Sequence, residues 1–84
     1  GLVREGRLAR ITGFIPDRPG ELRRVLHVIA MHKCNVVDVI HDRTDPAIPP
    51  WHAKVSIVLE APTREALLNV LRELEASGYK FTRG

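Results

Sequence analysis

One cysteine, Cys34, is all this 84-residue sequence holds. No internal disulfide can form, and such a chain reads as one suited to a reducing cytosol. Aromatics are few: Phe14, Trp51, Tyr79 and Phe81. Long apolar runs are missing too, so no segment reaches the length of a membrane span. The opening residues lack the charged-then-apolar pattern of a secretion leader, so the expected setting is cytoplasmic. The chain opens on Gly1 rather than Met, which suggests a processed start or a piece of a longer protein. Charge of one sign is not concentrated either. The net charge of +3 comes from residues spread from Arg4 to Arg83, and a nucleic-acid footprint is normally a contiguous stripe. No glycine-rich phosphate loop is present.

What remains is an ordinary globular composition, 44% hydrophobic, of a size for one domain. Arg7 to Ile15 alternates, with Ala9, Ile11, Gly13 and Ile15 on one face and Leu8, Arg10, Thr12 and Phe14 on the other. Leu22, Val25, Leu26 and Ile29 recur at helical spacing, which predicts a helix from Leu22 to Ala30. Asn35 to Asp42 is β-branched and alternating, a second strand. Thr44 to Pro50 carries three prolines and an aspartate, so it is a loop.

Ala53 to Glu60 reads as a third strand. Thr63 is placed to cap a second helix, whose apolar stripe is Leu67, Val70, Leu71 and Leu74. Gly78 is placed to end that helix in a left-handed conformation. Tyr79 to Thr82 reads as a short fourth strand. The order is βαββαβ, and two helices on one face of a four-stranded antiparallel sheet is the α+β, ferredoxin-like arrangement. It leaves one sheet face open, with Leu8, Phe14 and Val58 among Arg10, Thr12, Lys54 and Ser56. Apolar residues there suggest cover by a second copy or another domain.

Asp17-Arg18-Pro19-Gly20-Glu21-Leu22 joins the first strand to the first helix. Asp17 is expected at or near the helix cap, accepting from the orphan amides of the first turn. Pro19 has φ preset for a helix start. Gly20 removes a side chain where backbone N–H groups point outward, so an anionic group such as an amino-acid carboxylate can approach. Taken alone, this stretch reads first as a well-made turn and only second as a binding site. Asn35, at the start of the second strand, has a structural reading as a helix C-cap tolerating a left-handed backbone. Its amide also offers a donor and an acceptor, suited to the ammonium and carboxylate of a free amino acid. The turn and Asn35 are expected at neighbouring ends of the fold, and in a side-by-side dimer the turn of one copy could face Asn35 of the other.

Catalytic and metal chemistry find little support. His27 and His32 are off a shared helical face, and His32-Lys33-Cys34 is too tight for the usual zinc pairings. His41 and His52 could meet only if the second and third strands pair in a suitable register. Cys34 and Ser56 lack an identifiable base and orienting partner. Asp38, Asp42 and Asp45 fit solvated strand-edge positions better than an acid–base cluster. The same fold carries RNA-binding domains, but those stack bases on aromatics of the central strands, where this chain has only Phe14.

Ile15-Pro16-Asp17-Arg18-Pro19-Gly20-Glu21-Leu22, then Asn35-Val36-Val37-Asp38-Val39, within a βαββαβ order from Arg7 to Phe81, resemble an ACT domain, a small-molecule-sensing module of amino-acid metabolism. Gly1 to Leu8 resembles the link between catalytic and C-terminal regulatory domains of threonine dehydratases (threonine ammonia-lyases), as does His41-Asp42-Arg43 before a proline-bearing loop. The resemblance implies residues 1–6 as linker and 7–84 as regulatory domain. It implies an attached, pyridoxal-phosphate-dependent threonine-deaminating enzyme of isoleucine biosynthesis, with no cofactor in this segment, and a homodimer or higher oligomer binding an amino-acid effector. Residue by residue, it implies that Asp17 and Gly20 contact the effector's amino and carboxylate groups. Asn35 would reach it, often from a neighbouring subunit, and Leu22 and Val36 would line its side-chain pocket. Family members with a polar or histidine residue at the position of Ile15 differ here. The alternative is a module that only oligomerises its parent enzyme.

Overall fold

The register of β1 (Arg7–Pro16) against β3 (His52–Ala61) organises the molecule. The two strands pair antiparallel over ten positions, from Arg7 opposite Ala61 to Pro16 opposite His52. The computed structural model describes residues 7–84; the linker expected at 1–6 lies outside them. Between and after the central strands come α1 (Glu21–Met31), β2 (Asn35–Asp42), α2 (Arg64–Ala76) and β4 (Phe81–Arg83). Sheet order is β2-β3-β1-β4 with every pairing antiparallel, the ferredoxin-like topology expected from the pattern.

Alternation decides which face is dry. Ala9, Ile11 and Ile15 of β1 and Ala53, Val55, Ile57, Leu59 and Ala61 of β3 are all buried. Val25, Val28 and Ile29 of α1 and Leu67, Val70 and Leu74 of α2 complete the core above them. Its large members, Ile11, Ile29, Ile57, Leu59 and Leu74, each contribute about 1.5–3 kcal/mol by leaving water. Gly13 serves close approach: a Cβ there would lie 2.7 Å from the Lys80 carbonyl and 2.8 Å from the Phe81 ring. Its absence lets β4 dock.

Helix ends follow the sequence at α2 and depart from it at α1. Thr63 caps α2, its Oγ1 accepting from the Ala66 N–H at 3.0 Å. Gly78, at φ 95, ends that helix in a Schellman motif, with Tyr79 N–H donating to the Leu74 carbonyl and Gly78 N–H to Glu75. The same motif closes α1, with Cys34 N–H on the Ile29 carbonyl and Lys33 N–H on Ala30. The left-handed position there is Lys33, at φ 63, so Asn35 is not the C-cap. Asn35 lies two residues later, already in β2.

β2 is an edge strand and does not alternate cleanly. A bulge between Val36 and Asp38 inserts Val37, so that Val36 and Val39 both turn toward the core although three residues apart. The Asp38 carboxylate accepts from the Val39 N–H at 2.9 Å, while Val37 and Ile40 stay exposed. On the open sheet face Leu8 is well exposed, Phe14 less so, and the Thr12 and Ser56 hydroxyls bond each other at 3.1 Å.

Candidate functional site

Asp17 to Gly20 form the β1–α1 turn, anchored at both sides by main chain. Asp17 N–H donates to the Trp51 carbonyl at 2.9 Å, and Arg18 N–H donates to Pro16 at 2.9 Å. Gly20 is the N-cap residue of α1, in the left-handed region at φ 90, and no side chain caps the helix. This corrects the expected role of Asp17. Its carboxylate turns toward the β2–β3 loop, where Arg43 Nε donates to Oδ2 at 2.9 Å and Nη2 to Oδ1 at 3.0 Å. That guanidinium holds the Asp17 carboxyl below the usual range. Apart from the adjoining chain, nothing lies within 4 Å of where a Gly20 Cβ would sit, so glycine is needed for its φ, and the space beside it is open.

Glu21, the first residue of α1, is buried, which by itself disfavours its charge, and two hydrogen-bond partners more than offset that cost. The Tyr79 hydroxyl donates to Oε1 and Arg18 Nη2 to Oε2 at 2.8 Å. The Tyr79 contact, then Arg18, lowers the Glu21 pKa, while burial pushes the Tyr79 phenol up. An acidic residue in a first turn also matches the helix dipole. The turn is therefore braced from two directions, by the α2–β4 connection through Glu21 and by the β2–β3 loop through Asp17.

That loop is itself tightly organised. Asp42 Oδ1 accepts from both the backbone N–H and the hydroxyl of Thr44 at 2.7 Å, on either side of Arg43. Asp45 accepts from Ala47 N–H at 2.8 Å and from Lys54 Nζ at 2.9 Å. These contacts lower both carboxyl pKa values, and they account for the acidic residues as loop organisers. Trp51 follows Pro49 and Pro50 with φ 66, and its side chain is 88% exposed.

The other sequence-read site residues fall in two places. Leu22 stays with the turn, half-buried against the core, and Val36 is half-buried at the start of β2. Asn35 is exposed, its Nδ2 donating to Glu60 Oε1 at 3.4 Å. Asn35 pairs with Glu60, which pairs with Leu8, whereas Asp17 follows the Pro16–His52 pair. The separation is eight residues of β1, about 26 Å of strand. Within one chain the turn and Asn35 occupy opposite ends of the sheet, not neighbouring ones. Sequence reasoning missed Arg43, Trp51, Glu21 and Tyr79 as parts of the turn's surroundings. Their contacts span 26 residues for Asp17–Arg43 and 58 for Glu21–Tyr79, and no local pattern signals them.

Among the described residues no group of three or more His, Cys, Asp or Glu could hold a metal ion. His41 lies opposite Val55 and His52 opposite Pro16, so the two do not share a rung, and His32 Nε2 meets Glu73 Oε1 at 2.7 Å. Cys34 is buried and its thiol pKa raised by that burial, which disfavours a nucleophilic thiolate. The Lys54 ammonium is held charged by the Asp45 carboxylate beside it.

A helix start with an open glycine, an acidic turn and a bulged edge strand on a ferredoxin-like sheet agree with what sequence comparison finds. Residues 10–76 match the ACT domain family profile. The chain is an ACT domain. L-threonine ammonia-lyase of Thermotoga maritima is 36% identical over 80 residues, covering 95% of this ACT domain and 20% of that enzyme. L-threonine ammonia-lyase of Geobacter sulfurreducens is 34% identical over 79 residues, covering 94% and 20%. The domain thus spans about a fifth of the length of the curated relatives it matches. Among solved structures, the ACT domain from GTP pyrophosphokinase of Chlorobium tepidum superposes with a TM-score of 0.70 at 16% identity, over 94% of this chain and 99% of that one. Prephenate dehydratase from Streptococcus mutans gives 0.75 at 15% identity, over 93% and 42%. Both show the same fold. No helix among the described residues is long and apolar enough to cross a membrane.

Proposed function

We propose that this ACT domain binds a free amino acid between two copies of itself and so regulates an attached pyridoxal-phosphate-dependent threonine ammonia-lyase in the cytosol. In this reading residues 1–6 link the two domains, and the cofactor belongs to the catalytic part outside this segment. Asp17 and Gly20 meet the effector's charged groups, Leu22 supplies an apolar wall beside them, and Asn35 with its neighbour Val36 comes from the other copy.

The observation that carries the proposal is the placement of Asn35 and the turn at opposite ends of the sheet, next to an edge strand. Two β2 strands laid side by side and antiparallel bring the Asn35 end of one copy beside the Asp42 end of the other. Asp42 precedes Arg43, which holds Asp17. Each interface then carries two equivalent sites, as two-fold symmetry requires. Binding favours the paired arrangement that completes the site, and a coupling of about 1–3 kcal/mol gives a useful change in enzyme affinity or activity.

Calorimetry of the dimer against the twenty amino acids, beginning with isoleucine, valine, threonine and serine, tests this. Saturable binding by at least one is expected, and none at millimolar concentration would sink the sensing role. The second reading, a purely oligomerising module, draws on the Asp17 carboxylate being already engaged by Arg43. There Asp17→Ala and Asn35→Ala leave regulation of the parent enzyme unchanged.

A further inference from the structure

The Asp17–Arg43 pair is bidentate, yet it uses only part of what each group offers. A carboxylate has about four lone-pair positions and a guanidinium five N–H donors. Two bonds join the pair, which leaves acceptor positions on Asp17 and N–H groups on both terminal nitrogens of Arg43. Both side chains reach solvent, at 35% and 60% exposure. The pair is also held in place. Trp51 fixes the Asp17 main chain, and Asp42 with Thr44 pins the backbone around Arg43. A fixed carboxylate beside a fixed guanidinium presents an acceptor and a donor side by side, the complement of an amino acid's ammonium and carboxylate.

We propose that Arg43 is an effector-binding residue: it takes the carboxylate of the amino acid while Asp17 takes its ammonium, so the ligand's charge pair lies across the protein's own. This rests on the reading that the β1–α1 turn binds an amino acid. The consequence is selection for the zwitterion. Each protein charge is already oriented by the other, so the ligand meets a preorganised pair and little ordering cost attends binding. A simple amine engages only Asp17, and a simple acid only Arg43. Lysine would not serve equally, because an ammonium lacks the planar fork that bonds two carboxylates at once.

The experiment titrates the 84-residue chain and its Arg43→Ala and Arg43→Lys variants with L-isoleucine, L-valine, L-threonine and L-serine. Calorimetry and the fluorescence of Trp51, the one tryptophan, read the binding. Loss of charged hydrogen bonds predicts that Arg43→Ala weakens the amino acid that binds wild type by about 10- to 100-fold, with Arg43→Lys between. The matching decarboxylated amine, 2-methylbutylamine for isoleucine, binds Arg43→Ala no more weakly than wild type. Equal or tighter amino-acid binding by Arg43→Ala overturns the assignment; a tighter value would make Arg43 a competitor for Asp17. If wild type binds none of the four, the sensing role itself fails and Arg43 falls with it. Matching circular dichroism of the three proteins guards against a folding artefact.

Discussion

The hydroxyl of Tyr79 donates to Glu21 across 58 residues of sequence. This joins the first turn of α1 to the segment leading into β4, and Arg18 adds the β1–α1 turn to the same carboxylate. Tyr79→Phe keeps the ring in the core and leaves one oxygen of a buried carboxylate without its donor. The melting temperature is expected to fall by about 4–8 °C, consistent with one lost hydrogen bond in a domain this small. Calorimetric unfolding measures it, and an unchanged melting temperature would mean the contact contributes nothing.

Acid should unfold the domain through its partnered carboxylates. Asp17, Glu21, Asp42 and Asp45 all titrate below their usual range, by Arg43, by Tyr79, by the Thr44 N–H and by the Ala47 N–H respectively. A group whose pKa is depressed by folding stabilises the native state above its unfolded pKa and loses that contribution as pH falls through the folded value. Stability from these four groups is therefore fully present above about pH 5 and declines progressively below about pH 4. Urea unfolding between pH 3 and 7 reads the slope. Arg43→Ala removes the Asp17 share and should make the acid limb shallower.

Lys33 holds a left-handed backbone at the end of α1, where glycine is the favoured residue. Lys33→Gly should stabilise the domain by about 0.5–1 kcal/mol. Gly20→Ala should do the reverse by about 1 kcal/mol, through φ alone, since nothing crowds its Cβ. Chemical denaturation of the two variants gives both signs in one experiment.

The exposed side chains of β2 bear on assembly. Val37 is 53% and Ile40 45% exposed on the edge strand. Val37→Lys together with Ile40→Lys should shift the proposed dimer to monomer, with a change in intramolecular stability within about 0.5 kcal/mol. Light scattering during size exclusion decides it: a dimer that survives both lysines does not pair through β2.

The frame was legible in the sequence because each element carried its own local signal. Alternation in β1 and β3 put Ile11, Val55 and Ile57 inside, and Thr63 with Gly78 marked both ends of α2. The bounds of β2 fell on Asn35 and Asp42 as expected, but its bulge did not show, since Asn35-Val36-Val37-Asp38-Val39 is apolar enough to alternate either way. The end of α1 misled for a similar reason. Asn35 is the better left-handed residue by type, yet the helix runs to Met31 and places Lys33 there. At the turn, Asp17 looked like a cap because capping is local and cheap to satisfy. A guanidinium brought by another loop offers two charge-assisted bonds, and that outcompetes one backbone N–H.

The eight-residue offset between Asn35 and the turn has a genetic consequence. In the proposed antiparallel pairing, Asp17→Ala and Asn35→Ala each damage both sites of a homodimer. Mixing the two dead variants yields heterodimers in which one site carries both lesions and the other none. Half of the sites in each heterodimer should bind again, so two inactive alleles restore a partial response to the amino acid when expressed together. A domain that built its site within a single chain would show no such rescue.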